Sequence, residues 1–236
     1  MEEIIRNSSL KNRSKRQVFD DDTEIVTGVY NSTTETFSYP GVPDHINWVD
    51  LFNEVRDQGR CGSCWAYAAI SLVEAYYKKL YNTTVTLSEQ NLIDCIGDLT
   101  GKSGCDGAGL ATGLIYIKHK GISTPESYPN TPAAGNCRAD QVQKSDVKVV
   151  FPLISWIWGV ANIEAHLKAY VAKGPVVVSI NALSNFMNYK SGIYDDSECK
   201  GKSGTNHAIV IVGYGTENGI DYWLIRNSWG KSWGTS

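Results

Sequence analysis

Several things are scarce or missing in this sequence, and each absence excludes something. None of its apolar runs is long enough to cross a bilayer, so no membrane span is expected. Positive charge is not in excess. Lys and Arg number 22 against 25 Asp and Glu, for a formal net charge of -3, so there is no electrostatic footprint for nucleic acid. There is no internal repeat and no low-complexity tract. The opening residues, MEEIIRNSSLKNRSKRQ, contain no apolar signal core. A leader already removed, or a start lying elsewhere, is expected in preference to an intracellular protein. Only one C-x-x-C occurs, at Cys61 and Cys64, and zinc would need two further ligands. No metal or organic cofactor is implied.

What is present is ordinary in bulk. The 236 residues suffice for one large domain or two packed lobes with a sizeable core, and 42% of them are hydrophobic. Six cysteines occur: Cys61, Cys64, Cys95, Cys105, Cys137 and Cys199. Asn-x-Ser/Thr tripeptides stand at Asn7, Asn12, Asn31 and Asn82, each a candidate glycosylation site. Together the two features favour an oxidising, secretory compartment.

The chain changes character along its length. Residues 1–41 are polar, acidic in the middle and without sustained periodicity, which predicts a linker, tail or processing segment with little core of its own. From Cys64 the apolar residues follow three-four spacing to Leu80, with Ser63 placed to cap the helix and Glu74 to pair with Lys78. Further helices are predicted from Thr86 or Ser88 to Cys95, over roughly 107–119, and from Asn162 to Lys173. The runs at 176–181, 207–215 and 220–227 are rich in β-branched and aromatic residues and predict strands. Asn218-Gly219 between the last two is a hairpin signal.

That hairpin brings His207, at the start of one strand, to the same end as Asn227, at the close of the other, within about three residues of register. An imidazole beside a carboxamide acceptor has a fixed orientation and tautomer. If that end faces the start of the Cys64 helix, a nucleophile, a base and an orienting group meet, as covalent catalysis requires. A helix N-terminus and an imidazolium both favour a thiolate. Gln58 and the backbone N–H of Cys64 are candidate donors to a developing oxyanion. Each residue also has a plainer reading. A lone histidine is more often structural, an asparagine after a strand is usually a turn residue, and a C-x-x-C can be a redox pair. None of these explains all the features together.

At these residues the chain resembles the papain family of cysteine proteases. DQGRCGSCWAY, LSEQNLIDC, SGCDGAG, NHAIVIVGYG and YWLIRNSWGKSWG match its motifs in order, and the likeness covers about residues 42–236. The resemblance implies an α+β, two-lobed papain-like fold with a helical lobe over about 42–150 and a β-rich, antiparallel barrel-like lobe over about 151–236. Residues 1–41 would then be a polar segment or the remnant of a propeptide. It implies Cys64 as nucleophile, His207 as general base and acid, Asn227 as orienting amide and Gln58 in the oxyanion hole. Trp229 would shield the His–Asn contact and border the substrate site. Disulfides Cys61–Cys105 and Cys95–Cys137 are implied, which leaves Cys64 as the free thiol. Gly107 and Ala108 would run beside the substrate backbone, with Ala108 where a second glycine is usual, so its methyl is expected to crowd the substrate. Leu110, Ser179, Thr205 and Ala208 would line the pocket for the second residue before the cleaved bond.

The implied activity is endopeptidase cleavage of peptides or proteins in a lysosomal or extracellular setting. The enzyme would be a monomer and open to protein inhibitors. The family continues past the point where this chain stops, so missing strands, an exposed sheet edge and a Cys199 without its partner are expected. Two other readings compete: a papain-fold protein that binds peptides or inhibitors without turnover, and a thiol–disulfide oxidoreductase using Cys61 and Cys64.

Overall fold

The computed structural model describes residues 15–18, 26–31, 33–34, 36–131, 133–140, 164–196 and 204–235. Its elements in chain order begin with strands β1 (Lys15–Val18), β2 (Val26–Asn31), β3 (Thr36–Ser38) and β4 (Ile46–Asn47). Helices α1 (Cys64–Tyr81), α2 (Glu89–Cys95), α3 (Gly97–Thr100), α4 (Leu110–Lys120) and α5 (Glu164–Lys173) follow. Strand β5 (Val176–Ile180), helix α6 (Ser184–Met187) and strands β6 (His207–Glu217) and β7 (Ile220–Arg226) complete the order.

The apolar spacing after Cys64 does produce a helix, but α1 is not simply amphipathic. Every residue from Trp65 to Ala75 is buried, because α1 packs between α2 and α4 of its own half and β6 of the sheet. Ala208, Val210 and Val212 of β6 belong to the same core cluster as Ile70, Leu92 and Ile117, so the two halves share one core. Glu74 is therefore inside, and the expected Glu74–Lys78 surface pair is absent. Glu74 binds Arg56 instead, while the Lys78 ammonium donates to the Asp50 carbonyl. Ser63 does occupy the N-cap position. Its backbone sits at φ -99° and ψ 15° rather than in the extended region, and its side chain makes no capping bond.

The second helix starts as its cap residue predicts. Ser88 Oγ accepts from the Asn91 N–H at 3.1 Å. The third starts later than expected, at Leu110 rather than near 107. A 3-10 turn over Gly104–Asp106 and a left-handed Gly107 (φ +84°) leave the chain extended until Gly109. The fourth runs over Glu164–Lys173 and stops at Gly174-Pro175, while its predicted cap, Asn162, lies outside the described residues.

In the sheet, β6 is the central strand. β5 and then β4 run antiparallel along one edge of it, and β7 runs along the other. Both faces of β6 are covered: one by the α1 core, the other by a cluster of Val171, Ile211 and Tyr214. That double burial explains the near-continuous apolar run of this strand. An irregularity between Ile211 and Gly213 shifts the β7 register by one residue and turns Tyr214 to the same face as Ile211. Gly213 is required there. A Cβ on it would lie 2.2 Å from the Ile46 carbonyl oxygen, where β4 crosses. The Asn218-Gly219 turn has positive φ at both residues, as a type I′ hairpin needs.

One segment departs from the expected division. Ile46–Asn47 falls in the part assigned to the helical half, yet it pairs with β6. Residues 1–41, expected to have little core of their own, contain the antiparallel meander β1-β2-β3, held by backbone pairing. Of the tripeptide asparagines, Asn82 is exposed and ends α1 in a left-handed conformation, and Asn31 closes β2. Asn7, Asn12 and Cys199 lie outside the described residues. Among the described residues, no helix is long and apolar enough to cross a membrane.

Candidate active site

Cys64 is the first residue of α1, half-buried, and the free cysteine among those described. The chain leading to it is tied down on its other side. Cys61 is bonded to Cys105, Gly62 N–H donates to the Cys105 carbonyl at 3.1 Å, and Trp65 Nε1 donates to the Gly104 carbonyl at 3.0 Å. Gly62 permits this approach, since a Cβ there would stand 2.5 Å from the Cys105 oxygen. The second disulfide, Cys95–Cys137, pins the end of α2. Cys61 is thus engaged in a staple, and the two cysteines of the C-x-x-C are separated in role.

His207 opens β6 and is buried, at 6% exposure. Its Nε2 lies 2.7 Å from Asn227 Oδ1, which also accepts from the Ser228 N–H at 2.8 Å. An oxygen that already accepts a backbone N–H cannot be the amide nitrogen, so the carboxamide orientation is fixed. Nε2 must then be the donor, which leaves Nδ1 as the nitrogen that exchanges a proton. The indole of Trp229 stacks on the imidazole at 4.5 Å between centroids. Burial lowers the His207 pKa, and the bond to Asn227 opposes that in part.

Gln58 is held from both ends of its amide. Nε2 donates to the Cys61 carbonyl at 2.9 Å, and Oε1 accepts from Ser228 Oγ at 2.6 Å. A short antiparallel contact joins the two backbones as well: Gln58 N–H to the Ser228 carbonyl, Gly230 N–H to the Arg56 carbonyl, and a bridge between Asp57 and Trp229. Ser228 therefore links the asparagine that orients the histidine to the glutamine beside the cysteine. Sequence reasoning did not single it out, although it sits inside the NSWG motif.

A buried charge cluster supports the same segment. The Arg56 guanidinium pairs with Glu74 and, at 2.7 Å, with Glu89, the latter without an aligned hydrogen bond. Glu74 also accepts from Asn53 Nδ2 and the Leu87 N–H. Burial pushes Glu89 up to about 7 against the opposing pull of Arg56. Burial and then the Arg56 charge bring Arg226 down to about 10. Nothing in the sequence pattern pointed to this cluster, because its partners are chosen by tertiary packing.

These elements enclose one cleft of about 480 Å³. Gln58, Cys64, Gly107, Ala108, Leu110, Ser179, Thr205, His207 and Ala208 all line it, drawn from both halves of the chain. Asn227 and Trp229 stand behind the wall. The first bonds His207 and the second covers it, so Trp229 is not itself a lining residue. Ala108 also packs against the α1 core.

The model of the family described as "Papain family cysteine protease" matches residues 42–236. A cathepsin L-like proteinase of Fasciola hepatica is 40% identical over 197 residues, covering 82% of this chain and 58% of that protein. Cathepsin S of Bos taurus is 39% identical over 197 residues, with the same shares of each. The chain thus spans less than two thirds of the length of these curated relatives. Among solved structures, the bromelain protease from Ananas comosus in complex with the E64 inhibitor has a TM-score of 0.69 at 34% identity, covering 82% of this chain and 86% of that one.

Proposed function

Because the chain belongs to the papain family of cysteine proteases, we propose that it is a cysteine endopeptidase working through Cys64. The observation that carries this reading is a single cleft. In it the Cys64 thiol at a helix start, the Asn227-held imidazole and the Gln58 amide converge.

Nδ1 of His207 takes the thiol proton, and the thiolate attacks the scissile carbonyl carbon. The oxyanion sits against the Cys64 N–H and the Gln58 amide. Collapse breaks the C–N bond as His207 returns the proton to the leaving amine. Water then gives a proton to His207 and its hydroxide to the thioester, releasing the acid and restoring the thiol. Gly107 and Ala108 run beside the substrate backbone, while Leu110, Ser179, Thr205 and Ala208 receive the second residue before the cleaved bond. Substrates are peptides or proteins, protein inhibitors compete for the cleft, and the setting is lysosomal or extracellular. The working unit is a monomer.

An epoxide peptide-mimic that alkylates activated cysteines tests this. One equivalent should attach at Cys64, and His207→Ala should slow labelling by at least about 100-fold. A folded sample, verified by circular dichroism, that takes up no label at Cys64 sinks the proposal. Peptide binding without hydrolysis or labelling would favour a non-catalytic role.

A further inference from the structure

We propose that the peptide bond between Arg16 and Gln17 is a processing site for a second endoprotease, one whose acidic pockets read consecutive basic residues. The residues before that bond are Arg13-Ser14-Lys15-Arg16, so cations stand at the first, second and fourth places on its acyl side. Lys11 extends the run to four cations in six residues, with no acidic residue among them. Beyond the bond the sign reverses: Asp20, Asp21, Asp22 and Glu24 follow. A basic patch that grips a polyanion would be opposed by that acidic run. A partner that reads the cations one by one and stops at Arg16 is not. Carboxylate-lined pockets take guanidinium groups through paired hydrogen bonds, so the spacing of such a run carries specificity as well as charge.

The backbone around the bond has the form a protease binds. Extended segments are bound by adding to an edge of the partner's own backbone. β1, Lys15–Val18, is extended and is the outer strand of its meander, paired among the described residues with β2 alone. The scissile bond therefore lies on a strand with a free edge. Four residue pairs join β1 to β2, from Lys15 with Val29 to Val18 with Val26, and so short an outer strand opens locally at little cost. The chain has one other pair of adjacent cations, Lys78-Lys79. It lies inside α1, in helical backbone, where the Lys78 ammonium is engaged with the Asp50 carbonyl. Residues 15–18 do not line the cleft, so this site is separate from the peptidase centre and does not depend on that reading. The reaction is hydrolysis. Water adds across the bond, the C–N bond breaks, Arg16 ends in a carboxylate and Gln17 begins with an amine. The pairs of Lys15 and Arg16 are then lost, while β2 and β3 stay joined.

The test uses the full chain carrying Cys64→Ser, so that no cut can come from its own thiol. The probe is a calcium-dependent subtilisin-type endoprotease selective for paired basic residues, with intact mass and N-terminal sequencing as the readout. The first product should begin at Gln17. Arg16→Ala should slow its appearance by at least about 100-fold and Arg13→Ala by about 10-fold, since each removes a charge pair made with the protease. A synthetic peptide of residues 9–22 is cut alongside, and the folded chain should be cut at no less than about one tenth of its rate. A first cut elsewhere, or a cut that Arg16→Ala leaves unchanged, overturns the proposal. So does a folded chain left uncut, whether or not the peptide is cut. A second measurement secretes the same chain, behind an added leader, from cultured animal cells. The recovered protein should begin at Gln17, and Arg16→Ala should keep residues 1–16. Recovery of both proteins with residues 1–16 in place overturns the proposal. If they are then held on a heparin column less tightly with Arg16→Ala, the basic run is a polyanion-binding segment instead.

Discussion

The two sides of the cleft are built by different means. On the helical side, Cys64 begins a helix whose first three turns are buried all round, and two disulfides close the surrounding loops. On the sheet side, β6 is buried but β5 is mostly half-exposed, and no disulfide occurs among the described residues. Asn227 and Trp229 lie beyond β7, on backbone outside the ladder. The Cys64 thiol is thus placed by core packing and covalent staples, and the His207 imidazole by hydrogen bonds. Those bonds do not end within the sheet side. They pass through Ser228 to Gln58 and so to the loop that carries Cys61. The relative placement of the imidazole and the thiol is a property of the junction, and under the proposed chemistry a small displacement there is costly in rate.

The most damaging way to break this arrangement is to empty the charge cluster under the helical side. Glu74→Ala leaves the buried Leu87 N–H without an acceptor and takes one carboxylate from Arg56, which keeps Glu89, and from Asn53, which keeps the Val85 carbonyl. Removing one partner of a buried pair costs about 3 to 5 kcal/mol. Urea denaturation should show that loss. A drop below about 1 kcal/mol would mean that the cluster is well hydrated and does not hold the Arg56–Gln58 segment.

The two sides also differ in how protons affect them. Burial holds the Glu89 pKa near 7, above about 4.3 for an unfolded glutamate. Between those values the folded protein binds more protons than the unfolded one, so this group makes stability fall as pH rises. The slope is at most about 1.4 kcal/mol per pH unit. His207 has the opposite sign. Its folded pKa is depressed, so below about 6.5 the unfolded state binds more protons and stability rises with pH. Glu89→Gln removes only the falling component. Its urea midpoint should therefore climb from pH 5 to pH 7 more steeply than that of the parent protein. Parallel profiles for the two proteins would show that Glu89 does not titrate in this range.

The contrast between the sides recurs in what the sequence makes legible. α1, its start at Cys64 and the Asn218-Gly219 hairpin follow from local periodicity and turn chemistry, and the structure has them where those signals fall. The cleft residues Gln58, Cys64 and His207 came from the same local motifs. The junction was illegible, because it is made of long-range partners. Arg56 chooses Glu74 and Glu89 over solvent, Glu74 turns inward rather than toward Lys78, and Ser228 bonds a residue far away in sequence. Register was only half legible. Arg226 pairs with Val210, so Asn227 stops two residues short of His207, and its side chain spans the gap. The start of α4 was misplaced because glycines near 107 resist a helical reading only once the turn that precedes them is known.

The smallest perturbation is the most informative about the junction. Ser228→Ala deletes the 2.6 Å bond to Gln58 Oε1 but keeps the backbone N–H that orients Asn227. The histidine should stay in place while the glutamine loosens. A lost hydrogen bond of this kind is worth about 0.5 to 1.5 kcal/mol, which is about two- to tenfold in rate. If Gln58 acts on the oxyanion, the loss falls on kcat, with KM little changed and the pH dependence of kcat/KM unmoved, since His207 keeps its partner. A shifted pH profile would show instead that Ser228 acts through Asn227, making the base rather than the oxyanion donor the part that depends on the junction. A lowered melting temperature with kcat intact would reduce Ser228 to a structural tie. The two sides of the cleft would then hold their catalytic groups independently.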